Sequence, residues 1–336
     1  QVYNQQIFTG LKAAKSSVEF YELANKISEE NVIQQVAASF YQVLITKEKI
    51  EVIDANLDQV TQLEDVVRGQ YENGLVRKID LDRLRVNKSN LQTQKLSLEN
   101  ALGQQENLLK YYMGMPVSED IVLISSPIEN IEISAAALTK DETVQVRNLF
   151  SFQALEKQQE LLNFQKQAEI AKAYPTLSLD ANYLFNTQSD KINLYTGRAL
   201  NYDMSAINLT VSVPIFDGNA RKSRIKQTEL SIRKLEEEKR KTDNGLQMAL
   251  ENARKQMIVS LETIQSQQEN NVLAEEVFFS TQNNYKNGLA SLTDLLDAET
   301  QLLTAQNNYH EALLNYKIAE IELIKARGEI KSLLNE

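Results

Sequence analysis

The chain has no cysteine, no tryptophan and one histidine in 336 residues. Without cysteine there is no disulfide, no zinc–thiolate site and no thiol nucleophile, which suits an oxidising compartment. The lone His310 is followed by Glu311, but Leu314 stands where a two-histidine zinc motif needs its second ligand. No glycine-rich phosphate loop occurs. The sequence therefore predicts no catalytic residues, no metal, no cofactor and no enzyme. Four prolines and ten glycines leave little to interrupt helices. No apolar run approaches the ~20 residues of a membrane-spanning helix. The chain opens Gln1-Val2-Tyr3, without Met or a charged leader, and so reads as a fragment or processed product. The net charge of −10 is spread among interspersed charges of both signs, which argues against a nucleic-acid partner.

What is present is helical, and it is present twice. The stretch Tyr285-Lys286-Asn287-Gly288-Leu289-Ala290 has a twin in Tyr71-Glu72-Asn73-Gly74-Leu75-Val76. At a constant offset of 214, Tyr, Asn, Gly and Leu recur, then Asp80 with Asp294, Leu109 with Leu323 and Gly114 with Gly328. An offset this long predicts a duplicated half-molecule with two helical hairpins, rather than a short solenoid repeat. Asn-Gly inside a helical pattern marks each turn, because glycine accepts positive φ.

In chain order, residues 1–10 are expected to be the end of a truncated first strand hairpin, since Ile7-Phe8-Thr9-Gly10 resembles Ile215-Phe216-Asp217-Gly218. Residues 11–113 read as the first long helical hairpin, with its tip at 71–79. Helical spacing from Val18 to Val67 predicts a rod of roughly 90 Å, which must pack as a coiled coil. Residues 114–143 read as an irregular connector with a short strand at 117–124, and 144–174 as a helix closed by Pro175. The period then changes to two. Leu177, Leu179, Tyr183 and Phe185 share one face, and so do Ile207, Leu209, Val211 and Val213, with polar residues between. Runs of about ten residues with one apolar and one polar face suit a hairpin at 175–216 in the wall of a membrane barrel. A soluble hairpin packed on a helix produces the same alternation. Residues 219–336 form the second helical hairpin, with its tip at 285–293.

The order of these features resembles the TolC-like family of outer-membrane efflux ducts. The resemblance is carried by Tyr174-Pro175-Thr176-Leu177-Ser178-Leu179, by Val213-Pro214-Ile215-Phe216-Asp217-Gly218, by the twin tips and by Asp294-Leu295-Leu296-Asp297-Ala298-Glu299. It implies a mainly α chain in which long antiparallel helices form a trimeric α-barrel tunnel, continued by a transmembrane β-barrel to which each chain contributes strands. It also implies residence in the outer membrane of a Gram-negative bacterium, with a long periplasmic portion. One departure is that the first strand hairpin and the short helix before it are essentially absent.

The implied function is the exit duct of a tripartite efflux or type I secretion system. Its partners would be two further copies of the chain, outer-membrane lipid, a periplasmic adaptor protein and, indirectly, an inner-membrane pump. By this analogy Asn73, Gly74, Leu75, Val76, Asn287, Gly288, Leu289 and Ala290 are docking candidates at the tips. Asp294, Asp297 and, more weakly, Asp80 are candidates for a pore constriction. Turn geometry alone also accounts for the glycines, and a helix-start acidic pair for Asp294 and Asp297. The competing reading is a periplasmic coiled-coil tether without a pore.

Overall fold

A computed structural model describes residues 1–123, 145–188 and 200–334. The elements run α1 (Gln5–Glu72), α2 (Lys78–Tyr112), a 3-10 turn (Val146–Asn148), α3 (Phe150–Ala171), β1 (Thr176–Gln188), β2 (Leu200–Ser212), α4 (Ala220–Lys286), α5 (Leu292–Arg327) and a 3-10 turn (Ile330–Leu334). They fall into two compact units. One comprises Gln1–Lys26 with Arg147–Asn244, the other Ile27–Val146 with Gly245–Glu336. No helix among the described residues is long and apolar enough to cross a membrane.

In the larger unit, three apolar clusters hold four helix segments together. Leu44 and Ile45 of α1 meet Met257 and Ile264 of α4 and Leu313, Tyr316 and Leu323 of α5. Val60 and Val67 of α1 meet Leu81, Leu84 and Leu91 of α2 and Leu292 of α5. Phe278 of α4 packs on Leu295, Ala298 and Leu302 of α5. Helix α5 contributes to all three, with its buried residues recurring at helical spacing. Charged groups tie α1 to α2 beside this seam. Glu64, almost fully buried, accepts from Arg68 (2.7 Å), Lys88 (3.1 Å) and Arg85 (3.4 Å). The Arg68 hydrogen bond, then that of Lys88, holds its carboxyl below the ordinary range.

In the smaller unit, β1 and β2 pair antiparallel, with Thr176 opposite Ser212 and Gln188 opposite Leu200. Directly paired residues share a face, so Leu177 and Val211, Leu179 and Leu209, and Ala181 and Ile207 form three apolar rungs on one side. Beside the sheet, α3 and α4 are joined by Lys166–Glu229 (3.1 Å) and Arg224–Glu169 (2.9 Å). Helix α3 meets the start of α1 through Lys157–Glu19 (2.6 Å).

The start of the chain differs from expectation. Only Val2 and Tyr3 behave as strand: both their amides donate to the Leu177 carbonyl, and the Leu177 amide donates to that of Tyr3 (2.9 Å). Helix α1 is under way by Gln5, because the Asn4 side chain caps it by accepting from the Gln6 amide (2.9 Å). Ile7, Phe8, Thr9 and Gly10 are thus helical. Their sequence counterparts Ile215–Gly218 precede α4 instead, where Gly218 and Asn219 take φ of 64° and 65°. The local resemblance misleads because Pro214 and two consecutive left-handed residues delay the second helix, whereas Asn4 starts the first at once.

Residues 117–123 form turns and coil rather than the expected strand; Ile124 and the rest of the connector to residue 143 lie outside the described residues, as does most of the polar loop at 187–201.

Candidate functional site

Two places carry the predicted site residues: the helix reversals of the larger unit and the strand hairpin of the smaller one. The reversals have the same construction. The Gly74 amide donates to Tyr71 O (2.9 Å) and Leu75 to Gln70 O (2.8 Å); the Gly288 amide donates to Tyr285 O (3.0 Å) and Leu289 to Asn284 O (2.7 Å). This pair of bonds satisfies the last carbonyls of a helix and requires a left-handed residue between them. Gly74 and Gly288 supply it with φ of 72° and 71°. The asparagines act as side-chain caps, Asn73 Nδ2 donating to Gly69 O (2.7 Å) and Asn287 Nδ2 to Asn283 O (2.8 Å). Gly114 and Gly328 close α2 and α5 with the same pair of bonds.

The reversals expose one leucine each: Leu75 is 74% and Leu289 78% exposed. Neither caps an apolar contact. Val76, by contrast, packs against the Val60–Leu81 cluster, and Ala290 is half-buried.

The candidate acids separate into three different situations. Asp294 belongs to a capping box: Ser291 N and Oγ both donate to Asp294 Oδ2 (2.9 and 2.7 Å), and the Asp294 amide donates to Ser291 Oγ (3.2 Å). The Ser291 side-chain hydrogen bond, then the backbone one, holds its carboxyl below the ordinary range. Asp80 is half-buried and ion-paired to Arg77 (3.3 Å). Asp297 is exposed on α5, three residues beyond Asp294 and on the same helix face.

Three contacts between the hairpins escaped the sequence reading. Arg83 Nη1 donates to Thr293 Oγ1. The half-buried phenol of Tyr285 is pushed up, by burial first and then by the nearby Asp80 carboxylate. Asn87 Nδ2 donates to Glu299 Oε2 (3.0 Å). Glu299 is only 4% exposed, and its Oε1 has no partner. Burial pushes its carboxyl up to about 7, with the Asn87 hydrogen bond opposing. The capping box was legible as Ser-x-x-Asp. Glu299 was legible too, since it falls on the Leu292, Leu295, Leu302 stripe. Contacts such as Arg83–Thr293, 210 residues apart, leave no local trace.

In the strand hairpin the apolar side changes partway along. Leu179, Ile207, Leu209 and Val211 are 52%, 77%, 64% and 62% exposed on one face. Leu177 is half-buried under Tyr3, and Val213 lies just beyond β2. Farther toward the loop, Tyr183 and Phe185 keep to that face but stand opposite Ser205 and Asp203, and Tyr183 Oη donates to Asp203 Oδ2 (3.4 Å). Leu184 pairs with Met204 on the opposite face, with Tyr202 and Leu200 beyond.

A family model described as "Outer membrane efflux protein" matches residues 146–329, more than half of the chain. The chain belongs to the outer membrane efflux protein family. "Outer membrane protein TolC" of Vibrio cholerae serotype O1 is 19% identical over 331 residues, covering 98% of this chain and 75% of that protein. The crystal structure of the outer membrane protein VceC from Vibrio cholerae superposes with a TM-score of 0.73 at 18% identity, over 96% of this chain and 76% of that one. The CmeC outer membrane channel of Campylobacter jejuni superposes with a TM-score of 0.75 at 15% identity, over 97% of this chain and 68% of that one. These superpositions establish the shared fold. Family membership makes the chain an outer membrane efflux protein. His310 is buried in α5 and its imidazole is pushed down to about 4, by burial first and then by Lys49. It is a neutral core residue at neutral pH.

Three outcomes follow from the larger unit. A Cβ at Gly288 meets nothing within 4 Å, so Gly288→Ala costs backbone strain alone; a loss of about 1–2 kcal/mol is expected in denaturant unfolding. Gly103→Ala, inside α2 and equally uncrowded, should gain about 0.5–1 kcal/mol. The raised Glu299 favours the folded state while protonated. Its contribution is full below the unfolded value of 4.5 and is lost as pH rises through about 7. The stability of the native chain relative to Glu299→Gln should therefore fall by roughly 3 kcal/mol between pH 4.5 and pH 8 in chemical unfolding followed by far-UV circular dichroism.

Proposed function

We propose that the chain is one subunit of a homotrimeric exit duct, serving a tripartite efflux or type I secretion system in a Gram-negative outer membrane. The observation that carries this reading is the pair of thirteen-residue strands with an exposed apolar face, in a chain of this family. Each strand is long enough to cross a bilayer when tilted. A two-stranded hairpin is marginal in water, so these strands need neighbours. In the proposed barrel Leu177, Leu179, Ile207, Leu209, Val211 and Val213 face lipid, and Tyr183 and Phe185 form part of an aromatic girdle at its edge. Leu184, Tyr202 and Met204 then face inward beyond the hydrocarbon zone.

The helical hairpins are proposed to wall a periplasmic tunnel. Their matching reversals, with α1 and α2 ending and starting at the same offset from α4 and α5, support descent from one duplicated half. Leu75 and Leu289 are the proposed contacts for a periplasmic adaptor, with Asn73, Gly74, Asn287 and Gly288 shaping their presentation. Val76 and Ala290 support them from beneath. The inner-membrane pump would be reached only through that adaptor.

Of the three acids, Asp297 is the proposed constriction residue, because its carboxylate is exposed while Asp294 caps α5 and Asp80 pairs with Arg77. Three copies would ring the bore with negative charge and favour cations. A pore-free tether remains the second reading, and the exposed apolar rungs speak against it.

Asp297→Asn should move the cation-to-anion permeability ratio toward unity in planar bilayers, and an unchanged ratio removes Asp297 from the constriction. Leu209→Arg should cost about 2–4 kcal/mol in the bilayer and deplete folded protein from the outer membrane. Asn208→Arg, one residue along on the opposite face, should leave the level near that of the native chain. Equal tolerance of both, measured by membrane fractionation, would favour the tether.

A further inference from the structure

The chain as a whole carries a net charge of −10, yet one end of the smaller unit is basic. Three helix ends gather there beside the strands. Helix α1 starts just after Val2 and Tyr3 meet Leu177, α3 leads into β1, and α4 follows β2. From Gln5 to Val18 in α1 and from Ala220 to Thr228 in α4 there are six bases and no acid. Two of the six are engaged: Arg224 pairs with Glu169 (2.9 Å) and Lys226 with Glu229 (3.3 Å). Lys12, Arg221 and Lys222 form no ion pair among the described residues. Lys15 only lies near Glu19, which Lys157 already engages (2.6 Å). The nearby Asp217 spends Oδ2 on the Arg221 amide (3.0 Å) rather than on its guanidinium.

Four bases gathered without acids call for a counter-charge from outside the chain. A second copy is a poor source. Copies arranged around an axis bring the same basic ends to the same level, so each adds to the excess. Between β2 and the α4 bases, Ile215 and Phe216 are almost fully exposed. The order along the chain is therefore apolar strand, apolar turn, then bases, which matches the passage from hydrocarbon to headgroup at a membrane face. We propose that these helix ends form a collar for anionic phospholipid, with Lys12, Lys15, Arg221 and Lys222 donating to phosphate oxygens of the leaflet on the helix side. Arg221 and Lys222 lie in the first turn of α4, and Lys12 and Lys15 within about three turns of the start of α1. Charged donors make the stronger kind of hydrogen bond to phosphate. Each base near an anionic surface adds to an attraction that fades over a Debye length. A phosphatidylcholine headgroup, without net charge, gains little of it. Such a collar would set the depth of the strands in the bilayer. The inference rests on the exit-duct reading, because it needs the strands in lipid.

The test is electron paramagnetic resonance on the full chain reconstituted in phosphatidylcholine vesicles. Trace spin-labelled phosphatidylglycerol or spin-labelled phosphatidylcholine reports the lipid held at the protein surface as a motionally restricted component. The expected association constant for phosphatidylglycerol is about threefold that for phosphatidylcholine at low salt, falling toward parity as salt is raised. Replacing the four bases together (Lys12→Gln, Lys15→Gln, Arg221→Gln and Lys222→Gln) should bring the ratio to about one. Lys12→Arg with Lys222→Arg should keep it, and so should Lys241→Gln, about 30 Å farther along α4. Parity of the two lipids in the native chain, a preference indifferent to salt, or one that survives the glutamine variant would overturn the proposal. So would loss of the preference to millimolar inorganic phosphate at constant ionic strength, which assigns the bases to a free anion. Dissociation of copies in the glutamine variant, seen by analytical ultracentrifugation in detergent, would assign them to a neighbouring copy and overturn it too. The salt series and the arginine variant keep every charge, so the outcome does not rest on the glutamine variant folding. Absence of restricted lipid with either probe would overturn the exit-duct reading together with the collar, whereas parity overturns the collar alone.

Discussion

The packing of the larger unit depends on one face of α5. Its apolar stripe enters every cluster described there: with α1 and α4 at Leu313 and Tyr316, with α1 and α2 at Leu292, with α4 at Leu295 and Leu302. None of the four helices could hide its apolar residues alone, because a single helix exposes every side of itself to water. The glycine reversals matter because they return α2 and α5 along their predecessors in register. Interruption of the stripe by Glu299 is the exception that needs a compensating feature, and Asn87 supplies only half of it.

Much of this was legible from residue order, for physical reasons. Long helices without proline, Asn-Gly reversals and a two-residue alternation each follow from local backbone chemistry, and local chemistry is what a sequence displays. The Ser291–Asp294 cap was equally local, and it gives Asp294 a place in the start of α5. Three things were not legible. Where α1 begins was obscured by the likeness of Ile7–Gly10 to Ile215–Gly218, which repeats residues without repeating their backbone conformation. The apolar side of β2 was read from Ile207 onward, and the switch at Ala206 to Met204, Tyr202 and Leu200 emerges only once β2 is known to begin at Leu200. Pairing across the interface of two distant hairpins, as at Arg83 and Thr293, has no signature along the chain at all.

Two buried ionisable groups on α5 oppose each other as pH falls. Glu299 favours the folded state increasingly as acid rises, from about 7 down to its unfolded value of 4.5. His310 does the reverse. Kept neutral by burial, its folded value of about 4 lies below the unfolded 6.5, so its contribution is full above 6.5 and is lost as pH falls toward 4. Between these values the two effects partly cancel, and the helix they share is less sensitive to mild acid than either group alone would make it.

The hairpin of β1 and β2 has a consequence for how the chain is built. Each strand pairs on one side only, and among the described residues the outer side of β1 is met solely by Val2 and Tyr3 at Leu177. The remaining outward amides and carbonyls find no partner in apolar surroundings unless another strand arrives. In the proposed barrel those groups would be met by further strands, so the pairing of the hairpin's outer edges, rather than any side chain, would close the wall.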